Sequence, residues 1–304
     1  MKYVKGVYMA PFFMLDSFLD YLTTQRRFSE HTCLAYRKDI EQFLEFTGVE
    51  TRNDIIEVNS KVIRGWMVDL LDNDYENTSV NRKLSSLRTY FKWLLKEGVI
   101  DVSPISMVEG PKVRKRPPSF AQQNELKPEK IKDYFEDDFD GVRDRLLFEM
   151  LYQTGIRSSE LIGLLDQGVQ NNQIKVLGKR NKERIIPITK ELSELIHLYR
   201  NLRSDIAVKT PHFFVRSNGE KLYPKFVYSK INHYLGKVTD LEKKSPHVLR
   251  HTFATHMLNN GAGLEVLKEL LGHANLSATQ VYTHNSFAEL THIYSQSHPR
   301  GRKN

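Results

Sequence analysis

Leu84, Leu87, Phe91 and Leu94 recur at intervals of three and four residues between Thr78 and Gly98, which predicts an amphipathic helix ending at the glycine. The same period predicts three helices before it. One runs from about Phe12 to Thr24. A second follows Ser29, an N-cap residue, carries Ala35, Ile40, Phe43 and Leu44, and stops at Gly48. A third spans about Ser60 to Asn73, with Val62, Ile63, Trp66 and Leu70 on one face. Residues 1–103 thus read as a four-helix domain. Pro104, Pro111, Pro117, Pro118 and Pro128 then interrupt the pattern, so residues 104–124 read as a proline-containing linker. Residues 125–304 are again mainly helical, with one switch to strand character. Ile174 to Leu177 and Arg184 to Ile188 flank the turn Gly178-Lys179-Arg180-Asn181-Lys182-Glu183, which predicts a hairpin. His212 to Val215 reads as a further short strand. The expected fold is therefore mainly α with a small β-sheet (α+β) in the second domain.

Charge adds more to this picture than bulk composition does. The chain has 304 residues, 45 Lys and Arg against 37 Asp and Glu, and a net charge of +8, which points to a polyanionic partner. A single cysteine, Cys33, excludes a disulfide framework and a cysteine-built zinc site. No apolar run approaches the roughly 18 residues that a spanning helix needs, so no membrane partner is expected. The apolar stretch Gly6–Leu15 lacks a small-residue cleavage site and is interrupted by Pro11. It also continues into the helical pattern Leu15, Phe18, Leu19, Leu22, so it reads as part of a helix rather than a signal peptide, with Met9 and Met14 as alternative starts.

The positive charge is not evenly spread. On the fourth helix Arg82, Lys83, Arg88, Lys92 and Lys96 occupy the side away from the leucines, with no acid until Glu97. A solvated helix face ordinarily alternates its signs, whereas a face with no acid to pair with suits a phosphate backbone. Arg114, Lys115 and Arg116 in the linker extend the same reading, with a plain solubilising tether as the alternative.

Chemistry concentrates near the C-terminus. Ser245-Pro246 is a strong helix start and puts His247 and Arg250 in the first turn, where free amides and the helix dipole favour an anion. His247 and His251 lie four apart, as zinc ligands do. Between them, however, stand Val248, Leu249 and Arg250 rather than a glutamate base, and the arginine would repel a cation. A second helix, Leu264 to Leu271, stops at Gly272 and presents His273, and Tyr282 follows on a short helix.

His247-x-x-Arg250, then His273, then Tyr282 resembles the ordered signature of the tyrosine recombinase (phage integrase) family. Upstream, Thr154-Gly155-Ile156-Arg157-Ser158-Ser159-Glu160-Leu161 resembles the family's first arginine box, and the turn holding Lys179 its hairpin lysine. Ser29-x-x-Thr32-x-x-x-Tyr36 and the segment Asn81 to Arg88 are similar to the core-binding domain of the XerC/XerD group. Leu271-Gly272-His273-Ala274 and Val281-Tyr282-Thr283-His284 are similar to that group's C-terminal signature. The likeness covers nearly the whole chain apart from the first dozen residues.

The resemblance implies a two-domain clamp on duplex DNA. It has an N-terminal helical core-binding domain and a C-terminal catalytic domain that ends in an exchange helix. It implies Tyr282 as nucleophile and O-(3′-phospho-DNA)-tyrosine as intermediate, with Arg157, Arg250 and His273 as donors to the phosphorane oxygens. His247 is the implied base, and Lys179 the general acid to the leaving 5′-hydroxyl, with a phosphate clamp as the competing reading for Lys179. Arg180 and Lys182, like Arg184 beside them, suit DNA backbone. No metal, ATP or organic cofactor is implied, since the phosphotyrosine stores the energy of the broken bond.

The implied partners are double-stranded DNA with an inverted-repeat site and a tetramer on two duplexes, made with itself or a paralogous recombinase. A septal DNA translocase is a further implied partner. The apolar stripe Phe287, Leu290, Ile293, Tyr294 suits a neighbour's groove, or docking on its own domain. The function so implied is resolution of chromosome or plasmid dimers at cell division, in the cytoplasm with the nucleoid. Mobile-element integration or inversion would use the same chemistry. A type IB topoisomerase and a non-catalytic architectural DNA-binding protein are the other readings.

Overall fold

The computed structural model describes residues 11–113, 119–178, 183–272 and 284–301. The chain divides into two compact units, residues 1–116 and 117–304.

In the first unit five helices pack around one aromatic-rich core: α1 (Pro11–Thr24), α2 (Glu30–Thr47), α3 (Arg52–Glu57), α4 (Ser60–Asp72) and α5 (Asn77–Lys96). Ser29 caps α2 by accepting from the Thr32 amide, and Gly48 closes it in the left-handed conformation at φ +64°. The leucine stripe of α5 is wholly buried, and Phe43 meets Trp66 edge-on at 5.2 Å.

Helix α3 is an addition to the four expected. Its six residues bury only Ile55, too little for a periodic stripe, and it is held instead by a capping box between Thr51 and Asp54. The predicted linker also differs from the structure. Ile105 and Val108 belong to the first core, and α5 side chains satisfy the backbone carbonyls that follow. Arg88 donates to Val108 at 2.7 Å, Asn81 to Pro111 at 2.8 Å and Asn77 to Lys112 at 2.9 Å. Residues 105–112 therefore lie along α5 instead of forming an extended tether.

The second unit contains α6 (Pro128–Ile131), α7 (Phe139–Thr154), α8 (Ser158–Ile162), the strands β1 (Gln173–Leu177) and β2 (Glu183–Pro187), α9 (Lys190–Arg203), α10 (Pro224–Val238), α11 (Pro246–Asn259), α12 (Leu264–Leu271) and α13 (His284–Ser297). Helix α7 is buried along nearly its whole length, with α9 and α11 packed against it. The antiparallel strands pair Ile174 with Ile186 and Val176 with Arg184. The expected strand at His212–Val215 is absent. That segment makes only isolated bridges, Leu165 to His212 and Val215 to Lys221, while Phe213 and Phe214 fill the core. Ser245 has the extended backbone of an N-cap but makes no side-chain cap bond, so Pro246 carries the start of α11.

Helix α13 lies on its own unit. Leu290 and Tyr294 are buried, and Tyr294 donates to the Gln153 carbonyl at 3.1 Å. Beyond the helix, His298 stacks on Tyr294, and burial together with Arg300 pushes its ring down to about 3, so it is neutral. Arg300 pairs with buried Glu149 at 2.9 Å. No helix among the described residues is long and apolar enough to cross a membrane.

Candidate functional site

The geometry of the site begins with a glycine. Helix α7 ends at Gly155, whose φ of +60° turns the chain sharply into Ile156 and Arg157. A Cβ at Gly155 would lie 2.4 Å from Phe253 Cδ1 and 2.9 Å from Leu271 Cδ2, so the turn is wedged between α11 and the end of α12. Gly155→Ala should therefore destabilise the chain by about 1–3 kcal/mol. Chemical denaturation would show this as a lower midpoint, and an unchanged midpoint would mean that the wedge relaxes freely.

Arg157 has extended backbone and caps α8. The Glu160 carboxylate, one turn on, accepts from the Arg157 amide at 2.8 Å and from its Nη1 at 2.8 Å. The same carboxylate receives Arg184 in a two-point contact, Nη1 at 3.0 Å and Nη2 at 2.8 Å. Burial by itself raises the Glu160 carboxyl. The hydrogen bonds and charge of Arg184 and Arg157 outweigh it and hold the carboxyl below its ordinary value.

Arg250 comes up from the first turn of α11 into the same neighbourhood. It is buried, and it donates to the Gly155 carbonyl through Nη1 and to the Leu271 carbonyl through Nη2 at 2.8 Å. Burial first, then the positive charge of Arg157, pushes its guanidinium down to about 10, with Glu160 opposing. It remains charged at neutral pH. The side chain of Arg157 is 30% exposed, so the pair offers one accessible guanidinium and one held rigidly beneath it. His247 is exposed on the turn that also carries Arg250. Burial and the charge of His247 keep the neighbouring His251 ring below its usual value. Two permanently charged guanidinium groups so placed have the chemistry to hold an anion.

The structure thus brings Arg157 and Arg250 together and sets His247 on the same helix turn as Arg250. Lys179, Arg180, Lys182, His273 and Tyr282 lie outside the described residues, as do Arg114, Lys115 and Arg116.

Two readings of basic residues need correction. The side of α5 that seemed to lack acids has one, supplied by α2. Asp39, almost fully buried, accepts from Arg82 Nη2 at 2.9 Å, Lys83 Nζ at 3.1 Å and Ser86 Oγ at 2.7 Å. Lys83 is itself buried, bonded also to Gln42 at 2.6 Å, so it is a structural cation. Arg88 is engaged by the Val108 carbonyl, and Lys96 lies 4.9 Å over the Tyr21 ring. Lys92 is exposed, with no acidic partner among the described residues. The second correction is Arg184, grouped in the sequence with backbone-binding residues but buried against Glu160. Strand alternation carried the missed signal. Arg184 is two residues from the core residue Ile186 and so faces inward, and an inward guanidinium requires a buried acid.

The chain is also similar to known proteins. Residues 123–289 match the model of the phage integrase family, and residues 15–98 that of its N-terminal SAM-like domain. The chain is 36% identical over 300 residues to the tyrosine recombinase XerC of Thermodesulfovibrio yellowstonii, covering 96% of this chain and 98% of the relative. It is also 36% identical over 294 residues to the XerC of Staphylococcus aureus, covering 95% and 97%. In fold it is similar to the XerH site-specific recombinase bound to palindromic difH substrate, at TM-score 0.67 and 19% identity. That match covers 93% of this chain and 94% of the other.

Proposed function

Because the chain belongs to the phage integrase family of tyrosine recombinases, we propose that it cuts and rejoins DNA at a specific site through a 3′-phosphotyrosyl intermediate on Tyr282. The observation that carries this reading is the convergence of Arg157 and Arg250, from separate helices, close enough that the charge of Arg157 acts on Arg250.

Tyr282 Oη attacks the scissile phosphorus as His247 takes its proton. The 5′-oxygen departs with a proton from Lys179, and the charge that builds on the phosphorane oxygens falls to Arg157, Arg250 and His273. A 5′-hydroxyl from a second strand then reverses these steps and joins a new partner. The number of phosphodiester bonds is conserved, so no external energy source enters. Near-full-length similarity to proteins named XerC supports resolution of chromosome or plasmid dimers as the role, with several protomers on two DNA sites.

The direct test is covalent capture. Sheared chromosomal DNA from the source organism, lightly nicked to trap cleavage products, is incubated with the chain in chelator and separated under denaturing conditions. We expect a DNA adduct whose tryptic peptide carries a 3′-linked nucleotide on Tyr282. An adduct on another residue would overturn the assignment.

DNA affinity should also fall steeply with salt, and the corrected basic face makes that test specific. Lys92→Ala should reduce the slope of log affinity against log salt by about one. Lys83→Ala should leave that slope unchanged and instead lower the thermal stability of the first unit, because Lys83 neutralises buried Asp39. If the two variants exchanged these effects, the corrected assignment of the face would fail.

A further inference from the structure

We propose that Arg184 is a positioning residue for strand cleavage: from strand β2 it fixes both the Glu160 carboxylate that sets Arg157 and the end of α12 that leads into His273. The inference rests on the function proposed above.

Arg184 is committed on every side. Two of its nitrogens hold the two oxygens of Glu160, and its third, Nε, donates to the Leu270 carbonyl at 2.9 Å. Leu270 and Leu271 end α12, where carbonyls lack helical partners and the dipole is negative. Arg184 takes the first of these carbonyls and Arg250 the second. The contacts close a ring. It runs from Arg157 to Glu160, to Arg184, to Leu270 and Leu271, to Arg250, to the Gly155 carbonyl, and back to Arg157 along two residues of chain.

The glycine that follows α12 reports how tightly the ring is packed. A Cβ at Gly272 would lie 3.1–3.3 Å from Arg184 Nη1, Cδ and Cζ, and Gly272 has φ +64°. Arg184 thus rests directly on the backbone immediately before His273. It also stands one residue into the strand that leaves the hairpin turn, opposite Val176, and so links that hairpin to both arginines.

Stability is a weak reason to bury such a group, since a well-packed apolar side chain would serve as well or better. Nor can it hold a DNA phosphate, because its donors are directed inward. The outer face of the hairpin is served by a separate exposed pair, Lys175 with Glu183 at 2.7 Å. What remains is orientation: a planar fork sets angles that a point charge cannot.

The test uses the full chain and the nicked duplex that the wild type captures. Arg184→Met should slow single-turnover adduct formation at saturating DNA about 100-fold, the scale of an ångström-sized misplacement. Half-saturating DNA concentration and salt slope should not change. Glu160→Gln should slow the step as well, and the double variant should lose less than the product of the two single losses, because the two side chains share a contact. Arg184→Lys keeps the charge but cannot bond Glu160 twice and Leu270 at once, so it should fold and remain slow. It replaces the methionine variant if that one unfolds.

Adduct formation within about twofold of wild type in either folded variant would overturn the proposal. So would multiplicative losses in the double variant, or a salt slope lower by about one, which would make Arg184 a backbone contact. Failure of the wild type itself to form an adduct would instead overturn the proposed function.

Discussion

Tyr282→Phe should bind DNA as the wild type does and form no covalent adduct. The substitution removes one oxygen, the atom to which the 3′-phosphate would be joined, and a phenyl ring has no other nucleophile. The rest of the side chain and the basic contacts that hold DNA are unchanged, so binding should be kept. The loss should therefore fall wholly on the chemical step. Gel-shift affinity and denaturing-gel adduct yield, measured on the same DNA, separate the two. An adduct of wild-type yield in Tyr282→Phe would place the covalent bond elsewhere. The architectural reading of the sequence makes the opposite prediction, that neither protein forms an adduct while both bind.

The second large effect is expected at Arg250. Arg250→Lys should slow adduct formation by about 10²–10³-fold, the usual loss when one preorganised donor to a developing oxyanion is removed. Arg250 spans the carbonyls of Gly155 and Leu271 while buried. A lysine cannot span both, which leaves a buried carbonyl unpaired at about 1–3 kcal/mol.

Charge adds a pH signature. The arginine, though pushed down to about 10 by burial and by Arg157, keeps its proton throughout the neutral range. An ammonium starts lower, and the same burial and the same neighbour lower it further. The rate of Arg250→Lys should therefore decline as pH rises from neutral to mildly alkaline values, where the wild-type dependence on this group is flat. Parallel profiles for the two proteins would remove Arg250 from charge stabilisation and leave it a purely structural role.

Much of this was legible in the residues because it is local. The stripe of α5, the stop at Gly48, the Ser245-Pro246 helix start and the hairpin each arise from side chains within a few positions of one another. Periodicity or turn chemistry records such relations directly. The ordered signature around Arg157 and Arg250 was legible too, since chemistry demands residue types at set spacings. Helix α3 escaped notice for the converse reason: it is short, and only Ile55 is buried.

What the amino-acid order determined by itself was an inventory: four helices of the first unit, the start of α11, the span of α12, the hairpin, the arginines and the family. Only tertiary structure decided which cations are free. Asp39 and Lys83 are 44 positions apart, and Glu160 and Arg184 are 24 apart. No periodic signal couples such positions, because their pairing depends on how separately folded elements pack. Burial then settles the outcome. A guanidinium or ammonium withdrawn from water must find its carboxylate, and once it has, it holds the fold in register instead of meeting a phosphate.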